Sequence, residues 1–129
     1  MTDNSQQTDE VYRFILERIE SIPHLEAALL LWRERPHAWT VEDLAKRLWV
    51  KPEVAKIILQ DLARDRLLTA APEPKHYCYL STPDNDRLLS SLNEAYRHEM
   101  IRISNMIHSK ASSAVREFAR AFRLNKERD

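Results

Sequence analysis

The sequence contains no glycine in 129 residues, and this absence sets the first bounds on its structure. Glycine is the usual residue where the backbone must take a left-handed conformation in a tight turn. A chain without glycine is therefore predicted to be mostly helical, with few tight turns. Phosphate-binding loops and dinucleotide-binding fingerprints depend on glycine-rich turns, so the sequence excludes both kinds of nucleotide site.

Cysteine is almost absent as well, because Cys78 is the single one in the sequence and no disulfide can form within the chain. The sequence also lacks a signal-peptide pattern and any long apolar run, and we expect a cytoplasmic protein with no membrane insertion. Cys78 stands between two tyrosines. We interpret it as a small buried strand residue, with a redox-sensing thiol as the alternative.

Patterns that carry chemistry are missing too. The five histidines form no pair four residues apart and no H-E-x-x-H arrangement, so each is predicted to be a surface or turn residue. No serine stands in a nucleophile-elbow context, and the carboxylates are spread over helix surfaces. We therefore predict no catalytic residues, no metal site, no cofactor and no enzymatic activity.

Net charge is zero, with twenty basic and twenty acidic residues, which argues against strong non-specific binding to DNA. The charges are unevenly distributed, however. Residues 1–20 carry two basic and five acidic residues, a net of −3, whereas residues 46–66 carry six basic and three acidic residues, a net of +3. The basic segment is either a DNA-contacting surface or simply a solvated helix surface.

The stretch from Thr40 to Leu80 predicts a short helix, a tight turn, a second helix and a two-stranded hairpin. Thr40 can cap the first helix, and Pro52 suits the first position of the second. One buried stripe of the second helix recurs at i, i+3, i+4 and i+7: Ala55, Ile58, Leu59 and Leu62. The residues predicted to face outward are Glu53, Lys56, Ile57, Gln60 and Arg64.

Two apolar and aromatic runs follow, residues 67–71 and 76–80, with a proline-rich segment between them. This punctuation is typical of a hairpin loop, and we interpret the hairpin as a wing. Because there is no glycine after the second helix, any left-handed residue there must be Asp65 or a neighbour.

This order of elements resembles the winged helix-turn-helix of bacterial transcription regulators of the broad MarR/PadR/ArsR type. The resemblance rests on L-A-K-R-L in the first helix, P-E-V-A and I-L-Q-D-L in the second, and R-L-L after it. It implies that the second helix enters the major groove of double-stranded DNA and that the wing reaches a neighbouring groove or the backbone. By position, the expected groove or phosphate residues are Lys51, Lys56, Gln60 and Arg64, and the expected wing residues are Lys75 and His76. Lys46 and Arg47 of the first helix are expected to add phosphate contacts.

The predicted fold class is mainly α with a small β-hairpin, that is, a winged helix-turn-helix with N- and C-terminal helical extensions. We expect a disordered N-terminus over residues 1–7, the winged domain over 8–82 and a C-terminal helical extension over 83–129. Thr8 is the predicted cap of the first helix. A long helix is predicted from Pro83 to about residue 108, followed by a last helix after a break at residues 109–113.

Long amphipathic helices outside the winged core predict a homodimer through residues 8–20 and 83–124, the alternative being that they fold back on their own domain. The last helix has a second interpretation, in which three apolar anchors dock into a groove of a partner protein. The predicted interface residues are Phe14, Leu92, Tyr96, Ile103, Val115, Phe118 and Phe122.

The function predicted from the sequence is a dimeric, DNA-binding transcription regulator. The alternative is a winged-helix interaction module that binds a sigma factor, a sensor or another regulatory protein without binding DNA. Trp32, Trp39 and Trp49 are expected to pack in the core and hinge, with a ligand pocket as the less favoured interpretation.

Overall fold

The computed structural model describes residues 4–110, which form helices and one antiparallel pair of strands. The predicted mainly α fold with a small hairpin is confirmed. The elements are α1 (Asn4–Arg18), α2 (Ile22–Arg33), α3 (Val41–Leu48), α4 (Pro52–Arg64), β1 (Leu68–Ala70), β2 (Tyr77–Tyr79), α5 (Pro83–His98) and a further helix, α6, over residues 100–110.

Helix α2 forms the centre of the fold, because α3, α4, α5 and β2 all pack against it. Its run of leucines and alanines is apolar on more than one side, which is what a helix contacted from several directions requires. The α2 side chains buried in the core are Leu25, Ala27, Ala28, Leu29 and Leu31.

Three helices begin at a hydroxyl that accepts a hydrogen bond from a backbone N–H of the first turn. Ser21 accepts from the N–H of His24 at 3.3 Å, and Thr40 accepts from that of Asp43 at 3.1 Å. Thr82 does the same for α5, at 3.0 Å from the N–H of Asn85. These caps satisfy donors that the helix itself leaves unpaired, so the starts of α2, α3 and α5 are set by local sequence.

The hairpin is fixed to the segment that precedes α3. Within the sheet, Leu68 pairs with Tyr79, Thr69 with Cys78 and Ala70 with Tyr77. The buried Trp39 adds a bridge outside the sheet, because its N–H donates to the Tyr77 carbonyl at 2.7 Å and its carbonyl accepts from the Tyr77 N–H at 2.8 Å. The wing therefore has a backbone connection to the start of the helix-turn-helix.

The other side of the hairpin is held by the first turns of α5. The Asn85 side-chain amide donates to the carbonyls of Arg66 and Leu80, both at 2.9 Å. The Tyr79 hydroxyl donates to Asp86 at 2.7 Å, and Ser81 donates to the same carboxylate at 2.8 Å. These bonds lower the pKa of Asp86 below its ordinary value, the bond from Tyr79 having the larger effect.

The structure corrects three details of the sequence interpretation. Helix α1 begins at Asn4 instead of at Thr8, since glutamine is a good helix former. The long helix predicted after Pro83 is interrupted at Glu99, whose φ of −128° lies outside the helical range. His24 is buried, with 7% of its surface exposed, and is not a surface residue.

A substitution of Tyr79 tests the anchor between the hairpin and α5. We expect Tyr79→Phe to destabilise the fold near neutral pH and to raise the pKa of Asp86 toward its ordinary value. A carboxylate whose folded pKa is lowered contributes stability above its unfolded pKa, and that contribution is lost as pH falls through the folded value. The difference in unfolding free energy from the wild type, measured by urea denaturation, should therefore shrink below about pH 4.

Tyr77→Phe is the matched control, since no hydrogen bond of the Tyr77 hydroxyl is found within residues 4–110. This variant should show no such pH dependence. A Tyr79→Phe penalty that stayed constant down to about pH 2 would contradict the assigned bond to Asp86.

Candidate nucleic-acid interface

The outward face of α4 is the most exposed part of the helix-turn-helix. The predicted stripe of α4 is buried, with Ala55, Ile58, Leu59 and Leu62 between 0% and 3% exposed. Because this stripe packs against α2 and α3, the opposite side of the helix must face solvent. The five residues predicted to face outward are all exposed: Glu53, Lys56, Ile57, Gln60 and Arg64.

A buried polar contact fixes α4 against α2. The imidazole Nε2 of His24 lies 2.8 Å from the Asp61 carboxylate, and the Ser21 hydroxyl lies 2.7 Å from Nδ1 of the same ring. Since an ionised carboxylate only accepts, Nε2 carries the proton and donates to Asp61. This contact is not visible in the sequence, because Asp61 lies 37 residues after His24 and only the fold brings α2 and α4 together.

A second contact holds the end of α4. The Arg18 guanidinium of α1 lies 3.4 Å from the Asp65 carboxylate, the residue that follows α4. Burial raises the pKa of Asp65 above its ordinary value, while Arg18 opposes that rise. Helix α4 is therefore fixed at Asp61 by α2 and just beyond its C-terminus by α1.

The turn between α3 and α4 places a tryptophan in solvent. Trp49 has a φ of 58°, in the left-handed region, and its side chain is 94% exposed. Left-handed backbone costs a non-glycine residue on the order of 1–2 kcal/mol. Of the three tryptophans, Trp39 is buried as predicted and Trp32 is half-buried, but Trp49 packs in neither core nor hinge.

Three lysines lie on or near α4, and their ammonium groups are not paired with a carboxylate within residues 4–110. Lys51 is the N-cap residue of α4, and its side chain makes no capping hydrogen bond. Lys46 of α3 and Lys56 of α4 are exposed. No ion pair within residues 4–110 involves any of these three ammonium groups, so all three remain available to an anionic partner.

The two predicted arginines are engaged within the chain. Arg47 lies 2.6 Å from Glu34, and its guanidinium carbon is 5.6 Å from the centroid of the Trp39 ring. Arg64 lies 3.2 Å from Asp61. Both arginine side chains are more than half exposed, and ion pairs of exposed arginines contribute little to stability.

The predicted wing residues lie in the loop between β1 and β2. Lys75 is exposed, lies at the tip of the loop and has a left-handed φ of 62°. His76 is half-buried, and its Nδ1 lies 2.9 Å from the Pro74 carbonyl. The loop therefore offers Lys75 to a partner, whereas the His76 ring is partly committed to the loop itself.

The predicted interface residues divide into three groups. Leu92 and Ile103 are 0% exposed, so they stabilise the protomer itself and offer no surface. Phe14 and Tyr96 are half-buried against the core. Val115, Phe118 and Phe122 lie outside the described residues.

Apolar side chains that were not expected at the surface are exposed on α1 and α6. Leu16 is 51% exposed, Met100 52% and Ile101 78%. Leu16 and Ile101 line a groove between the two helices together with Met106. The signal was present in the sequence as apolar residues next to the core positions of each helix, but burial alone decides which of them stay exposed.

Other kinds of site find no support within residues 4–110. This part of the chain holds no group of three or more His, Cys, Asp or Glu side chains placed to bind a metal ion. Cys78 is half-buried in β2. None of the helices in the described range is long and apolar enough to cross a membrane.

Comparison of the fold with solved structures gives three matches. The chain superimposes on the crystal structure of MepR, a transcription regulator of the Staphylococcus aureus multidrug efflux pump MepA, with a TM-score of 0.55 and 10% identity, covering 97% of this chain and 92% of that one. The heme sensor protein PefR from Streptococcus agalactiae, in complex with heme, matches with a TM-score of 0.51 and 14% identity over 91% and 84% of the two chains. A MarR family protein from Bacillus stearothermophilus matches with a TM-score of 0.50 and 15% identity over 95% and 85%.

Sequence comparison gives no match, either to a protein-family model or to a curated protein. The structural matches therefore establish the fold alone. The described part of the chain has the winged-helix fold of these regulators, and the resemblance predicted from residues 40–80 is confirmed at that level.

The uncapped start of α4 gives a prediction about stability. Lys51→Ser should raise the free energy of unfolding by about 1 kcal/mol, because a serine hydroxyl at the N-cap accepts a first-turn N–H. Urea denaturation followed by circular dichroism measures the change. Lys56→Ser is the control, since a serine inside the helix gives no cap and should not stabilise the protein. Equal stability of Lys51→Ser and the wild type would contradict the assignment of Lys51 as an unfilled cap.

Proposed function

We propose that this chain is a DNA-binding transcription regulator that acts as a homodimer through its winged helix-turn-helix. The observation that carries the proposal is the outward face of α4, which is exposed along its length and flanked by unpaired lysines. An α-helix with its side chains is about 10–12 Å across, and the major groove of B-DNA is about 12 Å wide, so α4 fits the groove.

Phosphate contacts follow from the charges around α4. Lys46, Lys51 and Lys56 would neutralise phosphates on the two sides of the groove, and Lys75 would do so from the wing. Arg64 and Arg47 can exchange their carboxylate partners for phosphate oxygens, because both arginine side chains are more than half exposed and exposed ion pairs are worth at most about 1 kcal/mol. The likeness to transcription regulators in fold supports the same assignment.

Dimerisation is supported by the exposed apolar side chains of Leu16 and Ile101, which line one groove between α1 and α6. Exposed apolar side chains clustered on two adjacent helices mark an interaction surface. These side chains lie on α1 and α6, whereas the proposed DNA contacts lie on α3, α4 and the wing. A two-fold pairing through α1 and α6 would therefore leave both copies of α4 free to contact the two halves of a palindromic site.

The second candidate function is a protein-interaction module, and one observation favours it. Trp49 is 94% exposed beside α4, whose outward face carries the acidic Glu53 and the apolar Ile57. Exposed tryptophans are typical anchors of protein interfaces. In this alternative a sigma factor, a sensor or another regulatory protein would cover α4 instead of DNA.

Fluorescence anisotropy with labelled DNA separates the two functions. We expect tight binding to a duplex from the region upstream of the coding sequence and weak binding to a scrambled duplex. The preference for the upstream duplex should persist at physiological salt. Lys51→Ala and Arg64→Ala should each weaken binding to both duplexes by a similar factor. Each should also lower by about one the slope of the logarithm of the binding constant against the logarithm of salt concentration. Gln60→Ala should change the preference between them. No binding to either duplex at low salt would overturn the DNA proposal and direct the search to a protein partner.

Sedimentation velocity at micromolar concentration tests the dimer. The wild type should sediment as a dimer, and Ile101→Asp should sediment as a monomer, because the substitution replaces an exposed apolar side chain by a carboxylate that must lose water when the interface forms. Ile57→Asp places the same charge on α4 and should remain dimeric. A wild-type protein that sediments only as a monomer would exclude the homodimer.

A further inference from the structure

We propose that α4 reads A·T base pairs in the major groove, with Ile57 packed on the C5-methyl group of a thymine and Gln60 hydrogen-bonded to an adenine. This inference rests on the proposed DNA-binding function and specifies the chemistry of the DNA that the chain selects. It follows from the order of side chains along one row of α4.

Four outward residues of α4 form a single row, because positions 53, 57, 60 and 64 are separated by four, three and four residues. The row lies opposite the buried stripe, and all four of its members are exposed. A helix that enters the major groove with its buried side against the protein core presents this row to the base edges. The row consists of Glu53, Ile57, Gln60 and Arg64.

The middle of the row is unusual because it holds an aliphatic side chain that is 53% exposed. The thymine methyl group is the apolar feature of base edges in the major groove, and aliphatic side chains contact it there. Burial of Ile57 against such a methyl would remove apolar surface from water on both molecules. An aliphatic side chain at this position therefore favours thymine over cytosine, which lacks the methyl.

Gln60 extends the preference to adenine. Glutamine can bond to N6 and N7 of adenine through its amide oxygen and nitrogen. Its amide has no hydrogen-bond partner within residues 4–110, so the side chain is free to turn toward a base. Side chains three residues apart on a helix face have Cβ atoms about 5–6 Å apart, so Ile57 and Gln60 reach the same base pair or two neighbouring ones.

Guanine readout from the middle of this row is disfavoured. The common contact to guanine is an arginine or lysine that donates to O6 and N7. Arg64, the basic member of the row, lies at its C-terminal end and 3.2 Å from Asp61. Glu53 at the other end can accept from the amino group of cytosine. A·T pairs are therefore expected under the centre of α4, while Arg64 at its C-terminal end contacts a phosphate.

The surrounding charge supports DNA as the occupant of this face. Lys51 precedes the row, and Lys46 and Lys56 flank it on α3 and α4, all without an ion pair in the described part of the chain. A polyanion with an apolar group at its base edges complements both features at once.

The test combines a protein substitution with the deletion of a single DNA group. The full-length chain is first used to select its preferred duplex from a randomised pool. Each thymine of the selected site is then replaced by deoxyuridine, which removes only the methyl group. One replacement should weaken wild-type binding by about fourfold, the effect of one buried methyl group. Ile57→Ala should bind more weakly and lose this sensitivity to uracil.

Gln60 is tested by the same logic with 7-deazaadenine, which lacks the N7 acceptor. The modified base should weaken DNA binding by the wild type and leave DNA binding by Gln60→Ala unchanged. Val54→Ala is the matched control for Ile57→Ala, because it trims another partly exposed aliphatic side chain of α4 that lies outside the row. This control should keep the full penalty for uracil. Circular dichroism confirms that each variant is folded, as expected for substitutions at exposed positions.

The outcomes separate this inference from the function on which it rests. Selection without enrichment of any sequence would overturn the proposed function and the inference together. Enrichment of a site whose uracil penalty is the same for wild type and Ile57→Ala would leave the function intact and overturn the base readout alone. A selected site with only G·C pairs beneath α4 would do the same.

Discussion

The burial of α2 on several sides is the constraint on which the rest of the structure depends. Its leucines and alanines cannot be covered by one neighbour, so α3, α4, α5 and β2 must all pack around it. Each of those elements turns its apolar side inward and is thereby forced to turn its polar side outward. The exposed row of α4 is a consequence of this packing, since Ala55, Ile58, Leu59 and Leu62 have no other place to be buried.

Apolar packing decides which side of α4 faces inward, but it is not directional. The contact from His24 to Asp61 adds direction, because a hydrogen bond of 2.8 Å between two partly buried side chains is satisfied only over a narrow range of positions. The pair of Arg18 and Asp65 acts at the C-terminal end of the same helix. Together these contacts fix α4 at two points, and a surface that places side chains against individual bases requires such support.

Because the sequence has no glycine, backbone strain arises at turns near the proposed interface. Three non-glycine residues of the described chain have a left-handed backbone: Trp49, Arg66 and Lys75. Trp49 lies before α4, Arg66 lies after it, and Lys75 lies at the tip of the wing, so each adjoins an element that we propose contacts DNA. In this segment the turns carry exposed aromatic or basic side chains where glycine would be easier to accommodate, which agrees with the general finding that backbone strain gathers at functional sites.

The sequence by itself determined the fold class, the helix cap at Thr40, the buried stripe of α4 and the hairpin, because periodicity, capping and turn chemistry are local and act over a few residues. It did not determine that Arg47 pairs with Glu34 or that His24 is buried against Asp61. It also did not determine which apolar side chains are buried: Leu92 and Ile103 lie inside the protomer, whereas Leu16 and Ile101 stay exposed. Those outcomes depend on which helices meet and at what angle. Only the tertiary structure decided them, since residues distant in sequence acquire their burial and their partners when the chain packs around α2.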